Sequence, residues 1–109
     1  MPMTSSMNCS RNDVVLLPIP FTDLTSRKVR PGVVIGRNGT DLFLVPISSV
    51  LSNTDILLTE WQAAGLNVPC GVKAQIATVE ERLVVKSVGR LTAADRQALD
   101  ARLRIWLWL

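Results

Sequence analysis

Residues 13–36 read DVVLLPIPFTDLTSRKVRPGVVIG, and the way this stretch divides decides the fold. Two short runs of β-branched and aliphatic residues, Asp13-Val14-Val15-Leu16-Leu17 and Gly32-Val33-Val34-Ile35, have the length and composition of strands. Pro18 and Pro20 break the first run, because proline has no N–H to give to a ladder. Between the runs the chain is polar and cationic, with Thr22, Asp23, Thr25, Ser26, Arg27, Lys28 and Arg30. A charged loop carried between two core strands is a common way to present a site on a rigid scaffold.

Toward the C-terminus, Arg37-Asn38-Gly39-Thr40 supplies a turn, since Asn-Gly is a strong hairpin signal. Residues 41–47 (DLFLVPI) then return as a third, antiparallel strand that ends in Ser48-Ser49. A polar break at Ser52-Asn53-Thr54 precedes a short apolar run, a helical turn over 59–64 stopped by Gly65, and a loop over 67–71. Residues 72–79 (VKAQIATV) alternate, which predicts one half-buried strand with Val72, Ala74 and Ile76 inward and Lys73, Gln75 and Ala77 outward. A turn at 80–82 leads to a last strand over 83–89.

The C-terminus reads as a helix. Thr92 stands at the N-cap with Asp95 three residues on, close to a capping box. Leu99, Leu103 and Trp106 form its inner stripe, and Asp100 is spaced to pair with Arg104. Trp106 and Trp108 point about 200° apart on a helix. One can therefore enter the core while the other is exposed or covered by a second chain. Residues 105–109 are all apolar, which predicts an interface and a homodimer.

Toward the N-terminus, residues 1–11 are polar and lack the apolar centre of a signal peptide, so they read as a flexible leader to a single domain over 12–109. Asn12 suits the turn into the first strand because it tolerates positive φ. At 109 residues and 48% hydrophobic, the chain has material for one core, and no apolar run approaches the ~20 residues of a membrane span. The formal charge of +3 permits a polyanionic partner without demanding one. There is no histidine, which excludes His-dependent triads, His zinc sites and paired-histidine ribonuclease chemistry. Cys9, placed in the leader, and Cys70 form no metal-ligand pattern and read as free thiols of a cytoplasmic protein.

Short, closely spaced strands followed by one helix suggest a small antiparallel barrel, although composition alone does not separate it from another β+α fold. Three pieces of the opening stretch go further: Asp13-Val14-Val15, Pro18-Ile19-Pro20-Phe21-Thr22-Asp23, and Arg30-Pro31-Gly32-Val33-Val34-Ile35. In this order and spacing the chain resembles the MazF/PemK family of toxins from bacterial toxin–antitoxin pairs. The resemblance implies an SH3-like antiparallel β-barrel of the MazF/PemK/CcdB kind with helical additions. It also implies an endoribonuclease acting on single-stranded RNA with no metal or other cofactor.

Arg30 precedes a proline and is biased to an extended backbone, from which a planar guanidinium can face a phosphate. It matches the family's main catalytic arginine. Ser48 comes near Arg30 when the hairpin is counted back from Asn38-Gly39. As a strand-end serine it would otherwise read as a turn former. The family usually carries threonine there, so Ser48 keeps the hydroxyl and loses the methyl group that restricts the rotamer. On composition alone Arg27 and Lys28 read as a solvated loop. The resemblance sets them along the RNA path with Ser49, Lys73 and Gln75. Where many members have Asp-Gln-Ile-Arg-Thr, this chain has Ala74-Gln75-Ile76-Ala77-Thr78, so Gln75 and Thr78 remain while the acidic and arginine positions are alanine. The resemblance further implies a cognate antitoxin that folds over the basic stretch 27–37, and operator DNA reached only through the antitoxin complex. Other readings of the same fold are a toxin that binds gyrase, as CcdB-type toxins do, and a catalytically silent binding module.

Overall fold

The computed structural model describes residues 8–19 and 28–109. Seven strands and one helix follow in the order β1 (Asp13–Pro18), β2 (Val29–Asn38), β3 (Asp41–Ser48), β4 (Ile56–Leu57), β5 (Gly71–Val72), β6 (Ala77–Glu80), β7 (Lys86–Arg90) and α1 (Ala93–Leu107). All pairings are antiparallel, in the order β4-β5-β3-β2-β1-β7. β6 also pairs with β3. The mainly-β fold with a C-terminal helix is as expected, but among the described residues the path stays open and no strand pairing closes it into a barrel. No helix there is long and apolar enough to cross a membrane.

The continuous apolar runs of β1, β2 and β3 have a physical reason, because both faces of the central sheet are covered. Val14, Val33 and Val45 face one core with Leu99 and Leu103 of α1. Val15, Val34, Leu42 and Leu44 face a second core with Val79. Fully burying a side chain of this size stabilises the fold by about 1.5–3 kcal/mol.

The β2–β3 hairpin closes with Asn38 opposite Asp41, so its two central residues are Gly39 and Thr40 rather than Asn38 and Gly39. Only Gly39 has positive φ, 61°, which is the pattern of a type II′ turn. Asn12 adopts φ 76° at the entrance to β1, as its side chain predicts.

Residues 72–79 do not form one strand. β5 pairs with Ile47 and Ser48, whereas β6 pairs with residues 41–44 of the same strand. Two residues of β3, Val45 and Pro46, thus lie opposite four residues, 73–76, which must bend away. Pro46 has no N–H with which to continue the ladder. Its carbonyl accepts the Lys73 N–H at 3.0 Å. Ala74 and Ile76 consequently turn outward to solvent, and Lys73 and Gln75 are half-buried, the reverse of the alternation.

Thr92 does cap α1, but its side chain makes no cap hydrogen bond. Instead it contacts the Glu60 carboxylate. Asp95, 2% exposed, reaches across to the turn that follows β4. Its carboxylate accepts the Thr59 N–H, the Thr59 hydroxyl and the Glu60 N–H, each at 2.9 Å. The expected Asp100–Arg104 pair is displaced by Asp100–Arg11 at 2.8 Å. Trp106 packs against the first core. Trp108 ends the helix in the left-handed region and is 94% exposed.

Cys9 is buried rather than lying in a tail, and its N–H donates to Glu81 at 2.9 Å. Burial, reinforced by Glu81, pushes its thiol up from 9.0 to about 11. Cys70 is also free, and burial raises its thiol too.

Candidate functional site

Two adjoining clefts open where the end of β3 meets the start of β2, and Arg30, Ile47, Ser48 and Val50 line both. The registry explains why. β2 and β3 pair as far as Gly32 opposite Pro46, and carrying that register two residues past the last pair brings Arg30 and Ser48 to neighbouring strand ends, where both line the two clefts. The partnership depends on a bulge at Ile35, where Val34 faces Leu44 but Gly36 faces Phe43. Without that extra residue Ser49, not Ser48, would sit across from Arg30. Arg30 lies inside β2, paired with Leu17 of β1, so its backbone is held from that side as well.

The first cleft, of 340 Å³, is mostly aliphatic, walled by Leu16, Leu66, Val68 and Val88, with Ser49 and Asn67 as further polar groups. The second, of 230 Å³, is polar and carries Lys73, Gln75 and Asn53 beside Arg30 and Ser48. Among the described residues neither is lined by a carboxylate, and the charged side chains there are Arg30, in both clefts, and Lys73, in the second. The Ser48 Oγ accepts the Val50 N–H at 3.0 Å. That contact uses a lone pair and leaves the hydroxyl proton available to donate. Among the described residues no group of three or more His, Cys, Asp or Glu side chains is arranged to hold a metal ion.

Of the residues singled out in the sequence, Arg30 and Ser48 line both adjoining clefts, Ser49 the first, and Lys73 and Gln75 the second. Lys28 is exposed just before β2 and lines neither cleft. Arg27, together with Thr22 and Asp23, lies outside the described residues. Asn53 and Asn67 were not singled out, and as loop asparagines they carried no signal that could have found them.

Arg37 does not belong to the site. It lies at the opposite end of β2 and forms a two-pronged pair with Glu81, at 2.8 and 3.0 Å, while also donating to the Gly39 and Cys9 carbonyls. The Arg37 hydrogen bond holds the Glu81 carboxyl below its ordinary 4.5 despite the opposing effect of burial. A depressed folded-state pKa contributes stability that is fully present above the unfolded value and is lost as pH falls through the folded one. Glu81→Gln should therefore be less stable than the parent at pH 7 and lose less on acidification below pH 4.5. Denaturant melts at pH 7, 4.5 and 3 check this, and parallel pH dependences for the two proteins would contradict it.

With this geometry in view, comparison with known proteins places the chain. Residues 10–107 match the model of a family described as PemK-like, MazF-like toxin of type II toxin–antitoxin system. An endoribonuclease from a mycobacterial species, solved in complex with its cognate antitoxin, superposes with a TM-score of 0.68 at 17% identity, over 94% of this chain and 97% of that one. The Mycobacterium tuberculosis toxin MazF-mt6 gives a TM-score of 0.68 at 18% identity, over 89% of this chain and 97% of that one. At such identities these likenesses concern the fold. No curated protein matches the sequence.

Proposed function

The chain belongs to the PemK-like, MazF-like toxin family of type II toxin–antitoxin systems, and from that premise we propose that it is an endoribonuclease cutting single-stranded RNA at the Arg30–Ser48 cleft. The observation that carries this reading is that Arg30 and Ser48 line the same cleft, whose charged lining among the described residues is cationic. Such a lining suits a phosphodiester and repels none of its charge.

RNA supplies its own nucleophile. The ribose 2′-oxygen attacks the adjacent phosphorus and passes its proton to solvent water, and the P–O5′ bond breaks. The products are a 2′,3′-cyclic phosphate and a 5′-hydroxyl, which has gained a proton. Arg30, protonated at any working pH, donates to the phosphoryl oxygens as negative charge builds and stands ready to protonate the leaving 5′-oxygen. Ser48 donates its free hydroxyl proton to the same phosphate. Lys73 and Ser49 hold the strand, with Lys28 and Arg27 further along its path. Nothing in this sequence of steps requires a metal. Ser48→Ala should cost less than loss of Arg30, because one neutral hydrogen bond is removed, and Ser48→Thr should restrict the hydroxyl rotamer and raise the rate.

Incubating the protein with mixed single-stranded RNA in EDTA and identifying both new ends tests the reading. Cyclic phosphate and 5′-hydroxyl ends are expected. Intact RNA would overturn it, and gyrase poisoning by the same preparation would select the gyrase-binding alternative.

Two partners complete the proposal. Ile105, Leu107, Trp108 and Leu109 expose 63%, 44%, 94% and 80% of their surfaces around the end of α1, an apolar patch suited to a second copy of the chain. Light scattering at micromolar concentration should give a dimer, and a monomer alone would contradict it. The cognate antitoxin, carrying an acidic and apolar segment, should block the cleft by covering Arg30 and Lys73. Arg37, already paired with Glu81 at the far end of β2, offers it little. Both partners belong to a cytoplasmic setting.

A further inference from the structure

Where Pro46 interrupts the ladder, something other than sheet pairing has to hold the bend between β5 and β6. Pairing stops at Val72, opposite Ile47 and Ile56, and resumes only at Ala77, opposite Leu44. In between, Asp55, from the loop that enters β4, grips the backbone twice. Its N–H donates to the Val72 carbonyl at 2.9 Å, and its Oδ2 accepts the Ala74 N–H at 2.8 Å. The two bonds fall on either side of Lys73, whose own N–H donates to the Pro46 carbonyl at 3.0 Å.

Lys73 lines the polar cleft with Arg30, Ser48 and Asn53, whereas neither Asp55 nor Ala74 lines it. Asn53 ends the short turn just before Asp55, so the same residue ties one wall of the cleft to the other. Among the described residues Asp55 makes no ion pair with Lys73, so its hold is on the backbone and not on the ammonium. An exposed carboxylate next to a cationic cleft opposes a polyanion, so its charge alone gives no benefit there.

We propose that Asp55 is a positioning residue, its bond to the Ala74 N–H holding Lys73 at the cleft before RNA arrives. The inference rests on the ribonuclease reading and deepens it by naming what fixes one wall of the cleft. A cation on a loose segment would have to be ordered as the strand binds, and fixing its backbone beforehand removes that cost.

The charge and the bond predict opposite signs. Asp55→Ala loses the bond, so affinity for a single strand should fall on the order of fivefold and the salt dependence should flatten by up to one phosphate contact, a slope change of about 0.7. Asp55→Asn keeps an acceptor oxygen and loses the charge, so it should bind at least as tightly as wild type. On a Lys73→Ala background Asp55→Ala should add nothing further. Arg30 and Ser48 are carried by β2 and β3, so Asp55→Ala should raise KM and leave the saturating single-turnover rate unchanged.

The experiment measures binding of these four variants and wild type to an uncleavable 2′-deoxy oligonucleotide by fluorescence anisotropy at several salt concentrations, with RNA cleavage kinetics in EDTA alongside. Melting temperatures confirm that each protein is folded. Weaker binding and a higher KM in Asp55→Ala, restored in Asp55→Asn and absent on the Lys73→Ala background, support the inference. Asp55→Ala with unchanged or tighter binding and unchanged KM, equal weakening in Asp55→Asn, or equal weakening with and without Lys73 overturns it, while cleavage by wild type leaves the ribonuclease reading standing. The supporting pattern in binding without cleavage by wild type keeps the positioning role and overturns the ribonuclease reading. Neither binding nor cleavage by wild type overturns both.

Discussion

Replacing Arg30 with alanine should slow single-turnover cleavage of RNA by about 10²–10³ while leaving the fold intact. The size of the effect follows from what water cannot replace. The Arg30 backbone is fixed on β2 opposite Leu17 of β1, and the residue lines the cleft before substrate binds. A water molecule in its place would have to be oriented at the moment charge develops. The side chain is exposed and contributes to neither core, so the melting temperature should remain close to that of wild type. Arg30→Lys should recover only part of the loss, since a single ammonium does not reproduce a two-pronged donor. An Arg30→Ala protein that cleaves at the wild-type rate would remove the arginine from the mechanism.

The largest effect on stability is expected at Asp95. Its buried carboxylate is the shared acceptor for three donors of residues 59 and 60, and alanine leaves them unpaired around a small void. The three bonds are not additive, and the donors are partly accessible to water, so the cost should be about 2–3 kcal/mol. For a chain of this length that corresponds to a fall in melting temperature on the order of 10 °C. Asp95→Asn, which keeps one acceptor oxygen, should lose less. The same change should loosen the turn whose Gly65 and Leu66 wall the aliphatic cleft. Calorimetry of the two variants checks this, and an Asp95→Ala protein melting with wild type would show that the three bonds contribute nothing net.

What the sequence makes legible here is mostly local. The apolar runs of β1, β2 and β3, the hairpin at Asn38-Gly39, the positive φ of Asn12 and the inner stripe of α1 each depend on neighbours within a few residues. The juxtaposition of Arg30 and Ser48 follows from the hairpin, but its exact register does not. The turn centre lies one residue further along than Asn-Gly suggests, and the bulge at Ile35 shifts the pairing once more. Nothing in Val34-Ile35-Gly36 announces that bulge.

Long-range partners explain the remaining differences. Arg37 looks like part of a basic loop until Glu81, 44 residues away, is seen to hold it. Asp95 has the spacing of a capping box, yet its short side chain serves residues 59 and 60 instead of its own helix. The alternation over residues 72–79 fails because Pro46, on another strand, interrupts the edge that both halves use. Of the site, Arg30 and Ser48 came from the opening motifs and the hairpin. Asn53 and Asn67 depend on where two loops arrive.

The central claim is that the RNA's own 2′-hydroxyl attacks in a cleft organised by Arg30 and Ser48. The most direct measurement uses an RNA oligonucleotide with one cleavage site, compared in EDTA with the same oligonucleotide carrying a single 2′-deoxy substitution 5′ to the scissile phosphate. The account predicts cleavage of the first to a 2′,3′-cyclic phosphate and a 5′-hydroxyl, and no cleavage of the second at that site. Cutting of the 2′-deoxy substrate, or a 3′-hydroxyl end on the product of the first, would contradict it.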